Sequence, residues 1–150
     1  MNENEWFVSA KVALQGITAE EAAWTPPGKG NTIWQIVNHL TFWNEDVIFR
    51  LRGMENPAKA ESNEVTFGDP GDPHDEKGWE DTLKRFFAVM EELKEVVEGL
   101  DEERLDQSYR PGSPAIARLL GNIMMHDTYH LGQIVLLRKI RNTCPGFDWV

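Results

Sequence analysis

The chain has 150 residues, a formal net charge of −10, 41% hydrophobic residues and 27% charged residues. This composition excludes general disorder, and the length favours one domain over residues 1–150. The acidic balance argues against nucleic acid as a partner, because binding a phosphate backbone requires clustered Lys and Arg. No apolar run approaches the roughly 18 residues of a membrane span, so no membrane partner is expected. The first residues, MNENE, lack a basic signal region, and the single Cys144 can form no internal disulfide, so we expect a cytoplasmic protein.

Hydrophobic residues recur at helical spacing in four long segments, and no stretch alternates for long enough to predict a strand. The segments cover about residues 2–14, 32–52, 79–100 and 113–142. Residues 54–77 are rich in Pro and Gly and show little periodicity, which predicts a long connection. A connection of this length in a compact domain suggests a crossover. The sequence therefore predicts an all-α fold, a four-helix bundle with a long crossover connection.

Polar residues before these segments predict where the helices begin. Thr18 is expected to cap a short turn, and Asn31 or Thr32 is expected to cap the second long helix. Ser113 is the predicted cap of the last helix, with Pro114 at its first position, because the N–H that proline lacks needs no partner there.

Three of the four histidines lie on predicted helices. His126 and His130 are four residues apart, so both rings lie on one face of the last helix, near the apolar stripe around Ile123. Burying a polar group without a partner costs roughly 2–7 kcal/mol, so something must satisfy these rings. His39 lies at the edge of the apolar face of the second helix and can lie opposite them. His74 is in the long connection and is predicted to be a solvated surface residue.

Three neutral imidazoles with positions left to water form the ligand set of an open, catalytic type of metal site. We therefore predict that His39, His126 and His130 bind a metal ion. The alternative is a hydrogen-bonded core histidine pair or a bare cavity. Asp127 is the candidate catalytic residue, since it could orient a metal-bound water or act as a general base. It could equally form a hydrogen bond within the bundle.

Two other metal sites can be tested on the sequence. A zinc-protease helix has Glu directly after its first His, where this chain has Asp127, and it needs a third ligand further along the chain. A di-iron bundle needs Glu three residues before each of two histidines, but Ile36 and Ile123 occupy those positions. Neither site is favoured.

Other polar and aromatic residues lie near the predicted site. Asp46 and Gln133 could hold imidazole N–H groups, although we favour ordinary surface positions for both. Trp43 is expected to form a wall of the core or of a groove. Tyr129 is predicted to project away from the core.

The segments around these histidines resemble the DinB-like superfamily. Four segments carry the resemblance: WTPPG at 24–28, TIWQI at 32–36, NHLTFW at 38–43 and HDTYHLGQ at 126–133. The resemblance implies a four-helix bundle with up-up-down-down topology and a divalent metal held by His39, His126 and His130. Members of the superfamily include S-transferases and isomerases that use low-molecular-weight thiols, and proteins described as metal-dependent hydrolases.

We therefore expect a metal-dependent enzyme of the thiol S-transferase or hydrolase type that acts on a small molecule. The ion would be Zn, Ni, Fe or Mn, and imidazole ligands also suit Cu. A transferase would take an external low-molecular-weight thiol as its co-substrate, whereas a hydrolase would use metal hydroxide with Asp127 as the base. The alternative is a non-catalytic, metal-stabilised module for binding or stress response.

The outward face of the last helix also carries apolar or small residues. They are Gly121, Met125, Gly132 and Leu136, flanked by Met124 and Val135. A bundle helix that is apolar nearly all round needs a second partner. We therefore expect a homodimer in which this face packs on its twofold mate.

Overall fold

The computed structural model describes residues 8–28 and 30–144. Six α-helices and one 3-10 turn form within these ranges, with no strand among them. They are α1 (Ala10–Ala13), α2 (Ala19–Ala22), α3 (Ile33–Leu51), the 3-10 turn (Glu64–Phe67), α4 (Glu76–Glu98), α5 (Glu102–Asp106) and α6 (Ile116–Arg141). The all-α class is confirmed, while the four-helix bundle with up-up-down-down topology stays a prediction. None of the described helices is long and apolar enough to cross a membrane.

Helix α3 is central and packs against both α4 and α6. The buried apolar side chains form two clusters. One contains Leu40, Phe86 and Ile134, and the other contains Ile48 and Ile116. On α3 and on α6 the clusters are separated by a stretch of mostly polar residues, at 41–46 and at 124–130 respectively. The polar side chains that converge in the middle of the fold lie at this junction.

The start of α3 is fixed by a reciprocal cap. Thr32 Oγ1 accepts a hydrogen bond from Gln35 N at 3.1 Å, and Gln35 Oε1 accepts one from Thr32 N at 3.0 Å. The predicted cap at Thr32 is confirmed. The Thr32 hydroxyl also donates to the Pro70 carbonyl at 2.8 Å, so the cap fixes the long connection to the helix. The helix ends at Leu51, shortly before Gly53, whose φ of 69° favours glycine.

The long connection carries an element that the sequence did not predict. The 3-10 turn Glu64–Phe67 packs against α3. Two α3 side chains hold the backbone after it, since Gln35 Nε2 donates to Gly68 O at 3.0 Å and Asn38 Nδ2 donates to Phe67 O at 3.4 Å. These contacts fix the position of the turn beside His39.

Helix α4 begins three residues earlier than its periodicity predicts. Asp75 caps it by accepting a hydrogen bond from Gly78 N at 2.9 Å. The apolar pattern starts only at Trp79, so the first turn carries no hydrophobic signal.

The predicted start of α6 is wrong. The helix begins at Ile116, and Ser113 hydrogen-bonds within the preceding turn, accepting from Arg110 N at 3.1 Å. Pro114 therefore precedes the helix. The Ile116 amide donates to Gln107 O at 2.9 Å, so a bridged turn over residues 108–115 takes the place of a capped first turn.

The N-terminal elements are short and are attached to α6. The predicted first helix over 2–14 appears as the four residues of α1, and its positions 2–7 lie outside the described residues. Thr18 Oγ1 accepts from Glu21 N at 3.2 Å, which confirms the predicted cap. The buried Arg138 of α6 donates through Nε to Glu21 Oε1 at 3.0 Å and through Nη1 to Ala13 O at 2.9 Å.

The outward face of α6 is exposed and largely apolar. Met124, Met125 and Leu136 are each more than half exposed. Val135 was expected on this face, but it is 7% exposed and packs in the core. The homodimer stays a prediction, and light scattering that shows a monomer at micromolar concentration would contradict it.

Candidate metal centre

Three histidine side chains from two helices converge at the junction of the two apolar clusters. His39 comes from α3, and His126 and His130 come from successive turns of α6. One ring nitrogen from each lies within 4.8 Å of the other two. His39 Nε2 lies 3.0 Å from His126 Nε2, and the His130 ring centroid lies 4.6 Å from each of the other two. The three predicted ligands are thus brought together.

The hydroxyl of Thr66 fixes the proton of His39. Thr66 Oγ1 donates to the Asn63 carbonyl at 2.6 Å, so its single proton is already used. It must therefore accept from His39 Nδ1, which lies 2.5 Å away. The proton of His39 is consequently on Nδ1, which leaves the Nε2 lone pair free.

The other two imidazoles are held in the same way. His130 Nδ1 lies 2.7 Å from Gln133 Oε1, and His126 Nδ1 lies 3.3 Å from Asp127 Oδ1. Amide and carboxylate oxygens only accept hydrogen bonds, so both Nδ1 atoms donate. The preference for a surface role of Gln133 is therefore wrong. With Nδ1 of each ring facing an oxygen atom, Nε2 is the nitrogen that each histidine can offer to a metal ion.

The residues fit a divalent ion bound between the rings. Two nitrogens that bind one ion at about 2.0–2.1 Å with tetrahedral or square angles lie roughly 2.9–3.4 Å apart. The 3.0 Å separation of His39 Nε2 and His126 Nε2 falls in this range. The two nitrogens are also at hydrogen-bond distance from each other, and a divalent ion between the rings would take the place of that contact.

The surroundings keep two of the ligands neutral. Burial, followed by the proximity of His130 and then His126, lowers the pKa of His39 to about 3. Burial also lowers the pKa of His130, although the hydrogen bond to Gln133 acts in the opposite direction. Because a metal binds the neutral imidazole, both rings are ready to act as ligands at neutral pH.

Aromatic side chains enclose the His39 ring. Phe67 stacks on it with ring centroids 3.9 Å apart and planes 6° apart, and the edge of Trp43 approaches at 6.4 Å. Sequence reasoning missed both Thr66 and Phe67. The aperiodic connection that carries them gave no signal that could have placed either residue beside His39.

A groove of about 440 Å³ opens beside the three rings. Trp43 lines it, which agrees with its predicted role as a wall, and Trp43 Nε1 donates to Asn63 Oδ1 at 3.2 Å. Tyr129 is 65% exposed, as expected, but it also lines the groove next to His130. In residues 8–28 and 30–144, no Cys, Asp or Glu joins the three histidines, and His74 lies exposed in the connection. The site is therefore of the open type.

Asp127 lies behind His126 and is 4% exposed. Its Oδ1 accepts a hydrogen bond from Asn44 Nδ2 at 3.0 Å and lies 3.3 Å from His126 Nδ1. Asn44, which sequence reasoning missed, is fully buried and also donates to the Leu40 carbonyl. Asp46, in contrast, is paired with Arg50 at 2.7 Å and contacts none of the histidines. These contacts favour an orienting role for Asp127, and its catalytic role stays a prediction.

The fold and the site define an all-helical protein with an open three-histidine centre. The family model of the DinB superfamily matches residues 9–134, and the chain therefore belongs to the DinB superfamily. This range contains all three histidines. Comparison with curated proteins and with solved structures gave no match. The family and the histidine cluster together indicate divalent metal binding.

Proposed function

We propose that this protein is a divalent-metal-dependent enzyme that acts on a small molecule, with His39, His126 and His130 as the ligands. The observation that carries the proposal is that Nδ1 of each of the three histidines faces an oxygen atom, which leaves the three Nε2 atoms as ligands beside an open groove. An up-up-down-down bundle is the topology we propose around this site. Zn, Ni, Fe and Mn are the candidate ions.

A bound divalent ion would supply a Lewis acid that polarises an electrophile or lowers the pKa of a bound water or thiol. The protein's own residues prepare the site for this chemistry. Thr66 and Gln133 hold two imidazoles in the binding tautomer, and burial under Phe67 excludes water from one face of His39. The groove leaves the opposite side open to the substrate.

Thiol S-transfer is the reaction type we favour. The single cysteine of the chain, Cys144, is not among the groove residues and packs at the edge of the first apolar cluster. A transferred thiol must then come from a second, low-molecular-weight substrate. Hydrolysis is the other enzymatic possibility and would require a base at the groove. Asp127, held behind His126 by Asn44, is better placed to orient that ring.

Elemental analysis of protein purified without a histidine tag tests the metal. We expect about one divalent ion per chain and its loss in His130→Ala. His74→Ala is the matched control, because His74 is exposed and outside the site. The same substoichiometric trace in the wild type and in His130→Ala would refute the metal centre.

A turnover screen with and without low-molecular-weight thiols then tests the reaction. Turnover that requires a thiol supports the transferase, and turnover without one supports the hydrolase. Stoichiometric metal without any turnover would favour the non-catalytic module. For Asp127→Asn, an orienting role predicts weaker metal binding, whereas a catalytic base predicts a lower kcat at full metal occupancy.

A further inference from the structure

The groove beside the histidines continues along one face of α3. Counted along the chain, His39, Trp43, Asp46 and Arg50 follow one another at four, three and four residues, so they form one stripe of the helix. All four line the groove, and the last three also line a neighbouring hollow of about 340 Å³. The two hollows therefore meet along this stripe, with the histidines at one end and Arg50 at the other.

Asp46 and Tyr109 both lie beside the Arg50 guanidinium. Arg50 Nε lies 2.7 Å from Asp46 Oδ2, and Nη1 lies 3.5 Å from the Tyr109 hydroxyl. The ion pair is thus on the Nε side, and the edge formed by the two Nη groups, which can pair with a carboxylate in a two-pronged manner, has the long contact with Tyr109. The Arg50 side chain is 33% exposed and lines both hollows, so it is open to a ligand there.

A second guanidinium group approaches the same aromatic ring as the first. Arg50 and Arg110 both approach the ring of Tyr109, with Cζ atoms 5.7 and 5.5 Å from its centroid. Arg110 also lines the second hollow, and among the described residues it pairs with no carboxylate. The phenol ring therefore contacts two positively charged groups, both of which line the second hollow, in a chain whose net charge is −10.

The charges around the second hollow suit a monoanion. Three basic side chains line it, Arg50, Lys59 and Arg110, against two acidic ones, Asp46 and Glu55. Lys59 and Glu55 are largely exposed and lie 3.5 Å apart, so they contribute little. One unbalanced positive charge favours a carboxylate over a doubly charged phosphate.

We propose that Arg50 and Arg110 bind the carboxylate of an elongated substrate whose reacting group lies at the three histidines. The inference rests on the proposed function. The Arg50 guanidinium is beside Asp46, which is seven residues after His39, so the two ends are about 10 Å apart along the helix axis. A small thiol that carries a carboxylate at its far end can span the groove.

Titration of the Co²⁺-loaded protein tests this site. The probes are mercaptoalkanoates, from mercaptoacetate to mercaptooctanoate, and the mercaptoalcohols of matching length. The thiolate-to-cobalt absorption band measures the binding of each probe. We expect a mercaptoalkanoate of intermediate length to bind about tenfold more tightly than the mercaptoalcohol of the same length. Arg110→Gln should abolish this preference. Arg118→Gln, which removes an exposed charge of α6 outside both hollows, should retain it.

Equal binding of the acids and alcohols to an intact cobalt site would overturn this inference and leave the metal proposal standing. Failure to bind Co²⁺ would count against the metal proposal. The second measurement is therefore the ¹⁵N shift of the Arg50 and Arg110 Nε groups in metal-free protein on addition of acetate. Shifts at both support the carboxylate site, and unchanged signals overturn it. A stronger response to inorganic phosphate would overturn the assignment to a carboxylate.

Discussion

Replacing Thr66 by Val should weaken metal binding, although Thr66 is not a ligand. The substitution keeps the shape of the side chain and removes the hydroxyl that accepts the His39 Nδ1 proton. His39 is 1% exposed, so the Nδ1–H would be left without a partner in the interior, which costs about 1–3 kcal/mol. The competing tautomer with the proton on Nε2 would remove that penalty but cannot bind a metal. The expected loss of metal affinity is therefore about 10- to 100-fold.

Competition with a chromophoric chelator measures this change as the Kd for Zn²⁺. Thr41→Val is the matched control, because Thr41 is also a buried threonine, and its hydroxyl donates to the Val37 carbonyl at 2.8 Å without touching a histidine. Thr66→Ser should restore most of the affinity, since it returns the hydroxyl. Equal Kd values for Thr66→Val and Thr41→Val, in proteins of equal stability, would refute the assignment of the His39 proton.

Two further predictions concern stability. Arg138→Met removes the ion-pair partner of the buried Glu21 carboxylate, and urea titrations should show a free energy of unfolding lower by about 3–5 kcal/mol. Arg141→Met is the control, because its partner Glu20 is exposed, and it should lower the free energy of unfolding by less than about 1 kcal/mol. Similar losses for the two variants would contradict this. In chelator, stability should fall as the pH drops below about 6.5, since burial holds the folded-state pKa values of His39 and His130 below the ordinary histidine value of 6.5. Each group contributes at most about 1.4 kcal/mol per pH unit, and denaturation curves at pH 7.5 and 5.5 that coincide would exclude this linkage.

The helical part of the site could be predicted from the sequence because helix geometry is local. The four-residue spacing of His126 and His130 places both rings on one face, whatever the rest of the chain does. His39 required one further step, the packing of two predicted helices. The position of Trp43 on the same face of α3 as His39 follows from their four-residue spacing.

The acceptors of the imidazole protons could not all be predicted. Thr66 reaches His39 from 27 residues away along an aperiodic connection, whose path is set by tertiary contacts such as the bond from Gln35 to Gly68. The predicted start of α6 is wrong for a related reason. Ser113 has the side chain of a cap, but a local partner at Arg110 competes for it, and sequence spacing does not reveal which partner wins.

The position of the histidines between two separate apolar clusters has a consequence for how the protein can change. Exposed or half-buried side chains at the groove, such as Tyr129 and Arg50, can be exchanged while the buried cores at either end keep their packing. New ligand preferences could therefore arise on this scaffold by surface substitution alone, with little loss of foldability.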